Sequence, residues 1–216
     1  MYAGVEEGRA AQFVDRRDHP HGAVELFSGC GGLAYGLCQA GIVPEIMIES
    51  NPAAFRTLAD NVERGAKHIM HWRPEHSDVR DMNWSSYRGR VAVVAGGPPC
   101  QPFSIGGLHR GSTDNRDMWP ETIRAVNDIS PKGFLFENVR GLLRDNFATY
   151  FRTILTALAN ASNGYHVAYL KVDAADYGAA QRRHRVIVAG ADNGGGIRNA
   201  RLLETDLHLS GIGVVQ

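Results

Sequence analysis

The sequence predicts an α/β fold, a largely parallel sheet flanked by helices, and three observations predict it. From Ala23 onward, strand-length apolar runs alternate with helix-length stretches, the rhythm of strand–helix–strand units. A glycine cluster follows the first of these runs, where a strand must turn tightly into a helix. At 216 residues, with 44% apolar content, the chain can bury one good core, and it carries no internal repeat.

Residues 1–22 are charged and aperiodic and read as a polar leader. The first strand, AVELF (23–27), meets SGCGG (28–32) and then a helical stretch, LAYGLCQAG, that ends on Gly41. IVPEIMIE (42–49) is strand-like. In NPAAFRTLADNVERG, Asn51 is placed to cap a helix and Pro52 to occupy its first position. VAVVA (91–95) is a third strand and runs into GGPPCQPFS (96–104). MWPETIRAVNDI is helical, GFLFE (133–137) is a strand, and FATYFRTILTALANAS (147–162) is strongly amphipathic. YHVAYLKVD (165–173) and RVIVAG (185–190) close as strands. The remainder, 191–216, is glycine-punctuated and weakly patterned, an irregular tail after a domain of residues 23–190.

Charge balances at 23 basic and 23 acidic residues, so composition supplies no global basic field for nonspecific nucleic-acid binding, although a local basic groove is compatible with it. Three cysteines (Cys30, Cys38, Cys100) with no CxxC pairing argue against a disulfide framework or a zinc site, and for a reducing compartment. His19 and His21 lack Cys or carboxylate neighbours at ligand spacing, so no metal is expected. The start lacks the apolar region of a signal peptide, and no stretch approaches a membrane span. The expectation is therefore cytoplasmic, with no membrane partner.

Ligands of open α/β sheets bind beyond the carboxyl ends of the strands. Two features sit at such ends early in the chain. The LFSGCGG turn carries Gly29, Gly31 and Gly32, which let backbone approach a ligand and leave helix amides unobstructed. Glu49 ends the second strand twenty residues after Gly29, about the separation at which an acid holds the ribose hydroxyls of a nucleoside cofactor. The glycines are not spaced GxGxxG, which disfavours a dinucleotide; turn and acid together point to an adenosine-containing ligand. Phe27 beside the turn could face a cationic group, although a core role is commoner for a phenylalanine.

Cys100 raises a sharper question, because three prolines and two glycines crowd around it, the prolines fixing the backbone and the glycines leaving room. A buried, inert residue is the commoner fate of a lone cysteine. Two further clusters fall near strand ends, however. Glu137 and Asn138 end GFLF, and Arg182, Arg183 and Arg185 stand at the entry of RVIVAG. A thiol, a carboxyl group and guanidinium groups converging at one sheet edge suit nucleophilic addition better than structure.

Taken in order and spacing, ELFSGCGGLAYGL, GGPPCQPFS, ENV and QRRHRVIVAG resemble the DNA cytosine-5 methyltransferases over roughly Ala23 to Gly190. The resemblance implies a Rossmann-like fold that binds S-adenosylmethionine as methyl donor. Phe27, Ser28, Gly29, Gly31, Gly32 and Leu33 would form the loop around its methionine end, and Glu49 would hold the ribose. Asp78 and Val79 would meet the adenine, with Ser77 where a glycine is usual. Ser50 stands where an aromatic often stacks on adenine. Pro98 would border the methyl donor, and Trp119, in the segment DNRDMW that closes over the cofactor, stands near a position usually aliphatic.

The resemblance also implies the chemistry. Cys100 adds to carbon 6 of a flipped-out cytosine, which makes carbon 5 nucleophilic. Glu137 holds or protonates N3, while Arg185 and Arg183 stabilise charge at O2 and lower the thiol pKa. The expected partner is double-stranded DNA with a cytosine-containing target, in the manner of a restriction–modification methylase. The family continues past RVIVAG into a target-recognition domain, whereas this sequence runs 26 residues beyond Gly190. Three readings stay open: a subunit of a split enzyme whose partner supplies recognition, an inactive truncated product, or a regulatory S-adenosylmethionine-binding remnant. An RNA cytosine-5 methyltransferase is a weaker variant that no feature here favours.

Overall fold

The computed structural model describes residues 22–65, 69–99, 117–195 and 213–215. Strands β1 (Gly22–Leu26), β2 (Val43–Glu49), β3 (Pro74–His76), β4 (Val93–Gly96), β5 (Gly133–Val139), β6 (Tyr165–Asp173), β7 (His184–Asp192) and β8 (Gly213–Val215) form one sheet in the order β3-β2-β1-β4-β5-β7-β6-β8. Helices α1 (Gly32–Gln39), α2 (Pro52–Glu63), α3 (Trp119–Ile129) and α4 (Ala148–Ala159) lie between strands in the chain. The β3-β2-β1-β4-β5 pairings are parallel. β7 enters antiparallel between β5 and β6, and β8 pairs antiparallel with the outer edge of β6.

All five residues of β1 are buried, as a central strand covered on both faces requires. The principal core joins Val24 and Leu26 of β1, Ile48 of β2, Val94 of β4 and Val186 and Val188 of β7 with the apolar faces of α3 and α4. Fully burying a side chain such as Leu26 contributes roughly 1.5–3 kcal/mol. An aromatic group forms its centre: Phe134 stacks on Phe136 at 5.4 Å, Tyr165 meets Phe134 edge-on at 5.2 Å, and Trp119 meets Phe136 edge-on at 6.0 Å.

The local signals act as their chemistry demands. Asn51 Oδ1 accepts the N–H groups of Ala53 and Ala54 at 2.9 and 3.1 Å, and Pro52 opens α2. α1 ends at Gly41 (φ 82°), whose N–H reaches the Cys38 carbonyl at 3.0 Å. α3 lacks a side-chain bond from its own capping position, and Asp117, two residues before it, accepts the Trp119 N–H at 3.1 Å instead. Sequence patterning anticipates no strand in 191–216, yet Gly213–Val215 pairs with β6, and the three-residue edge strand β3 is equally unmarked. Short edge strands carry too little periodicity to be read from sequence.

Strand order reverses between β1 and β4, and the crevice beyond their carboxyl ends is where such sheets take ligands. The turn after β1 and the chain leaving β4 toward Cys100 face each other across that point.

Candidate active site

The turn after β1 is built around positive backbone angles at Phe27 (φ 57°), Gly29 (57°) and Gly31 (89°). The left-handed conformation at a phenylalanine is strained, and the surroundings hold it: the Ser28 N–H donates to the Ile48 carbonyl at 3.0 Å and the Gly31 N–H to the Ser28 carbonyl at 2.9 Å. Gly31 has a packing reason too, since a Cβ there would lie 2.8 Å from Trp72 and 2.9 Å from Leu58. At Gly29 and Gly32 a Cβ would meet nothing within 4 Å. These two positions therefore leave backbone open toward the crevice.

Glu49 ties this turn to α2. One carboxylate oxygen accepts the Gly29 N–H at 2.7 Å, and the other accepts the Asn51 N–H at 2.6 Å. Both oxygens of a 9%-exposed acid are thereby fixed in direction, each with lone-pair capacity left for a hydroxyl donor. Asp78 follows β3 and caps a short 3₁₀ turn, Val79–Asp81. Its carboxylate is held by Arg80 at 2.6 and 2.9 Å, which keeps the acid ionised below the usual carboxylate range. Arg124 of α3 secures that turn from behind, donating to the carbonyls of Val79 (2.7 Å) and Met82 (3.1 Å). Val79 is buried, Ser50 is exposed, and Leu33 is half-buried beside the turn. Trp119 is closed off from solvent in the core, with its indole N–H unpartnered.

On the other side of the crevice, Arg185 Nε on β7 pairs with Glu137 Oε1 on β5. Antiparallel register sets Glu137 opposite Ile187 and Val139 opposite Arg185, so the two charged side chains come from neighbouring strands two positions out of step. Gly97 lies against Glu137: a Cβ there would sit 3.5 Å from the second carboxylate oxygen. Asn138, 2% exposed, donates from Nδ2 to the Pro98 carbonyl at 3.0 Å and accepts the Val139 N–H at 2.9 Å. The end of β5 therefore presents the acid and grips the chain that leaves β4. Cys100 and the rest of its loop lie outside the described residues. Arg183 is exposed, and its backbone N–H donates to Asp173 Oδ1 at 2.7 Å, closing the turn between β6 and β7.

One group is legible in the sequence only in part, and another not at all. Asn138 was visible in ENV without its task, which only the fold supplies. Glu25 hides in AVELF, where alternation offers no hint of an acid 1% exposed beneath the turn. Neither of its oxygens reaches a hydrogen-bond partner in good geometry, although the Ser28 hydroxyl and the Ala34 N–H lie nearby. Among the described residues no group of His, Cys, Asp and Glu could hold a metal ion, and no helix is long and apolar enough to cross a membrane.

A parallel sheet that reverses order at β1/β4, an antiparallel seventh strand inserted at one side, and a strained glycine turn linked to an acid define the class: the Rossmann-like fold of S-adenosylmethionine-dependent methyltransferases. Within it, the chain belongs to the C-5 cytosine-specific DNA methylase family, which it matches over residues 22–210. Among its relatives, the type II methyltransferase M.NgoMIV of Neisseria gonorrhoeae is 37% identical over 79% of this chain and 52% of its own. M.PspPI of a Psychrobacter species is 36% identical over 77% of this chain and 38% of its own. The chain thus spans about half, or less, of the length of these curated relatives. A solved structure of a prophage-encoded candidate DNA modification methyltransferase of E. coli superposes with a TM-score of 0.65 at 26% identity, over 87% of this chain and 49% of the other. The S. pombe Dnmt2 methyltransferase shares the fold at 20% identity, with a TM-score of 0.59 over 88% of this chain and 57% of its own.

Proposed function

We propose that this chain carries the cofactor-binding and catalytic part of a DNA cytosine-5 methyltransferase of the restriction–modification type, with S-adenosylmethionine as methyl donor. The residues around the β1 turn fit that group. Gly29 and Gly32 leave room for its backbone-facing end, Glu49 has two oriented oxygens for ribose hydroxyls, and Glu25 is a buried carboxyl with no partner of its own. When bound, the cofactor supplies an activated methyl group; everything else falls to the protein.

The observation that carries the reading is the Glu137–Arg185 pair beside Gly97, with Asn138 holding Pro98. Cys100, two residues beyond Pro98, is the proposed nucleophile. Its thiolate forms a bond to carbon 6 of an extruded cytosine, and the ring electrons move toward N3 and O2. Glu137 holds a proton at N3 as charge builds there, and Arg185 keeps Glu137 aimed while offering its own N–H groups toward O2. Carbon 5 then accepts the methyl group, gives up its proton to a base, and the carbon–sulfur bond breaks to restore the thiol. Arg183, exposed on the β6–β7 turn, is proposed to meet the DNA side of the site. Choice of target sequence is proposed to come from residues outside 22–192, in the same polypeptide or in a second subunit.

Duplex DNA containing 5-fluorocytosine tests the proposal, because fluorine cannot leave as a cation and the adduct is trapped. The expected result is a covalent complex that needs S-adenosylmethionine and is lost in Cys100→Ser. Cofactor binding with no adduct on any DNA would reduce the chain to a binding module.

A further inference from the structure

The crevice carries a feature that the proposed reaction does not use. At the carboxyl end of β3, the His76 imidazole lies flat on the Phe55 ring of α2, with centroids 4.8 Å apart and planes 17° from parallel. His76 is in register with Glu49, the last residue of β2, and Asp78 follows two residues later. His76 Nε2 lies 3.2 Å from the Ser50 carbonyl oxygen, a hydrogen bond that fixes the ring's rotation when that nitrogen carries the proton. His76 is exposed although one of its faces covers Phe55, so the rest of the ring is open to solvent.

Each of these points bears on what such a pair can do. A flat, oriented ring at a strand end, backed by a second ring, is a rigid surface with little rotamer entropy left to lose. Aromatic faces of this kind attract other flat π-systems through dispersion and offset stacking. The neighbours restrict which π-system fits. Glu49, in register with His76, presents oriented oxygens for a sugar, and Asp78, two residues after His76, keeps lone-pair capacity on Oδ2 beyond its bonds from Arg80, an acceptor that suits the exocyclic amino group of a purine. The residue immediately after Glu49 is Ser50, exposed and without a ring, so position 50 itself supplies no stacking surface.

We propose that the stacked Phe55–His76 pair is the platform on which the adenine ring of the cofactor lies, His76 contributing the contact face and Phe55 the support behind it. This rests on the reading that the pocket takes S-adenosylmethionine, and it specifies where that ligand's base is held. His76 is then a binding residue, and Phe55 a positioning residue that acts through it.

Calorimetric titration and the hypochromism of the adenine absorption band, measured with S-adenosylmethionine and with adenosine, test the proposal without any turnover. His76→Ala is expected to weaken both ligands by a similar factor, about 5- to 150-fold, and to diminish the hypochromism. His76→Phe restores a ring without the imidazole nitrogens and should bind within about threefold of the wild type. Phe55→Leu keeps the apolar backing and should give a smaller loss than His76→Ala. Wild-type affinity in His76→Ala with unchanged hypochromism overturns the platform while leaving cofactor binding intact. Loss confined to S-adenosylmethionine, with adenosine unaffected, overturns it as well, because the effect would then lie away from the base. No binding of S-adenosylmethionine by the wild type overturns the underlying reading of the pocket.

Discussion

A buried carboxyl group with no hydrogen-bond partner is costly to ionise, and Glu25 shows the consequence in its acidity. Burial is the largest influence and pushes it up to about 8; the Ser28 hydroxyl and the Ala34 N–H pull it partly back, and the Glu49 charge raises it slightly. Cys38 of α1 is coupled to the same carboxyl, and its thiol is raised chiefly by its own desolvation. The sign for stability follows. Glu25 in the unfolded chain ionises near its ordinary value of 4.5, whereas in the folded protein it keeps its proton up to about 8. Between those values the folded state binds the extra proton, so the Glu25 contribution falls as pH rises through that window and levels off above it. Glu25→Gln should therefore change stability little at the acid end of the window and raise it by about 1–3 kcal/mol at the alkaline end. Urea unfolding of both proteins across the window measures this. A gain independent of pH would show that the folded-state proton is not on Glu25. At the same scale, Asn138→Ala removes the donor to Pro98 and the acceptor of the Val139 N–H inside a buried site, at an expected cost of about 1–3 kcal/mol. Asn138→Asp keeps the acceptor only, and adduct formation on fluorocytosine DNA should fall in both variants if the grip on Pro98 positions the nucleophile.

The placement of α1 depends on Gly31 more than on any bond. With φ at 89° and a Cβ position 2.8 Å from Trp72, Gly31→Ala must strain the backbone and also push apart the small cluster of Ala34, Met47, Leu58 and Trp72. A cost of about 2–4 kcal/mol is expected, against about 1 kcal/mol for Gly29→Ala, where the φ is unfavourable but the space is free. Denaturant melts of the two variants decide it, and equal costs would mean that packing against α2 does not set the position of α1. How much of this was legible beforehand depends on range. The strand–helix alternation, the Asn51–Pro52 start of α2 and the glycine turn before α1 are local, and they are readable because each acts within a few residues of itself. The antiparallel entry of β7 between β5 and β6 is not readable: the runs YHVAYLKVD and RVIVAG carry the same apolar content in either direction, and only the ten-residue turn between them, closed by Asp173 on Ala175 and Arg183, sets their pairing. Motif spelling singled out Glu137 and Arg185, but their direct contact depends on that insertion. Glu25 and the Phe55–His76 stack were hidden for the same reason, since burial and ring contact are properties of the assembled sheet.

Across the whole molecule, labour divides between β4 and β5, one strand beyond the order reversal. The parallel half, β3-β2-β1-β4, carries the glycine turn, Glu49, His76 and Asp78; the antiparallel-containing half, β5-β7-β6-β8, carries Glu137, Arg185 and the exposed β6–β7 turn with Arg182 and Arg183. One core runs under both halves, so they should unfold together while opening locally on their own terms. Hydrogen exchange can read both properties in one experiment. Amides of β1 and β4, central and paired on both sides, should exchange only through global unfolding, whereas those of the edge strand β3 should exchange faster through local opening. Adding S-adenosylmethionine at about 100 times its dissociation constant should raise global stability by about 2.7 kcal/mol, slowing exchange in the central strands of both halves. Protection beyond that uniform rise should concentrate at Phe27–Gly32, Glu49–Asn51 and His76–Asp78, because those segments carry the residues proposed to hold the cofactor. The turn from Ala174 to Arg183 should gain none beyond the uniform rise until DNA is added, since it lies in the other half of the sheet and its exposed Arg183 is proposed to meet the DNA. An excess footprint on 174–183 from cofactor alone would contradict this division, and would move the methyl donor to the wrong half of the sheet.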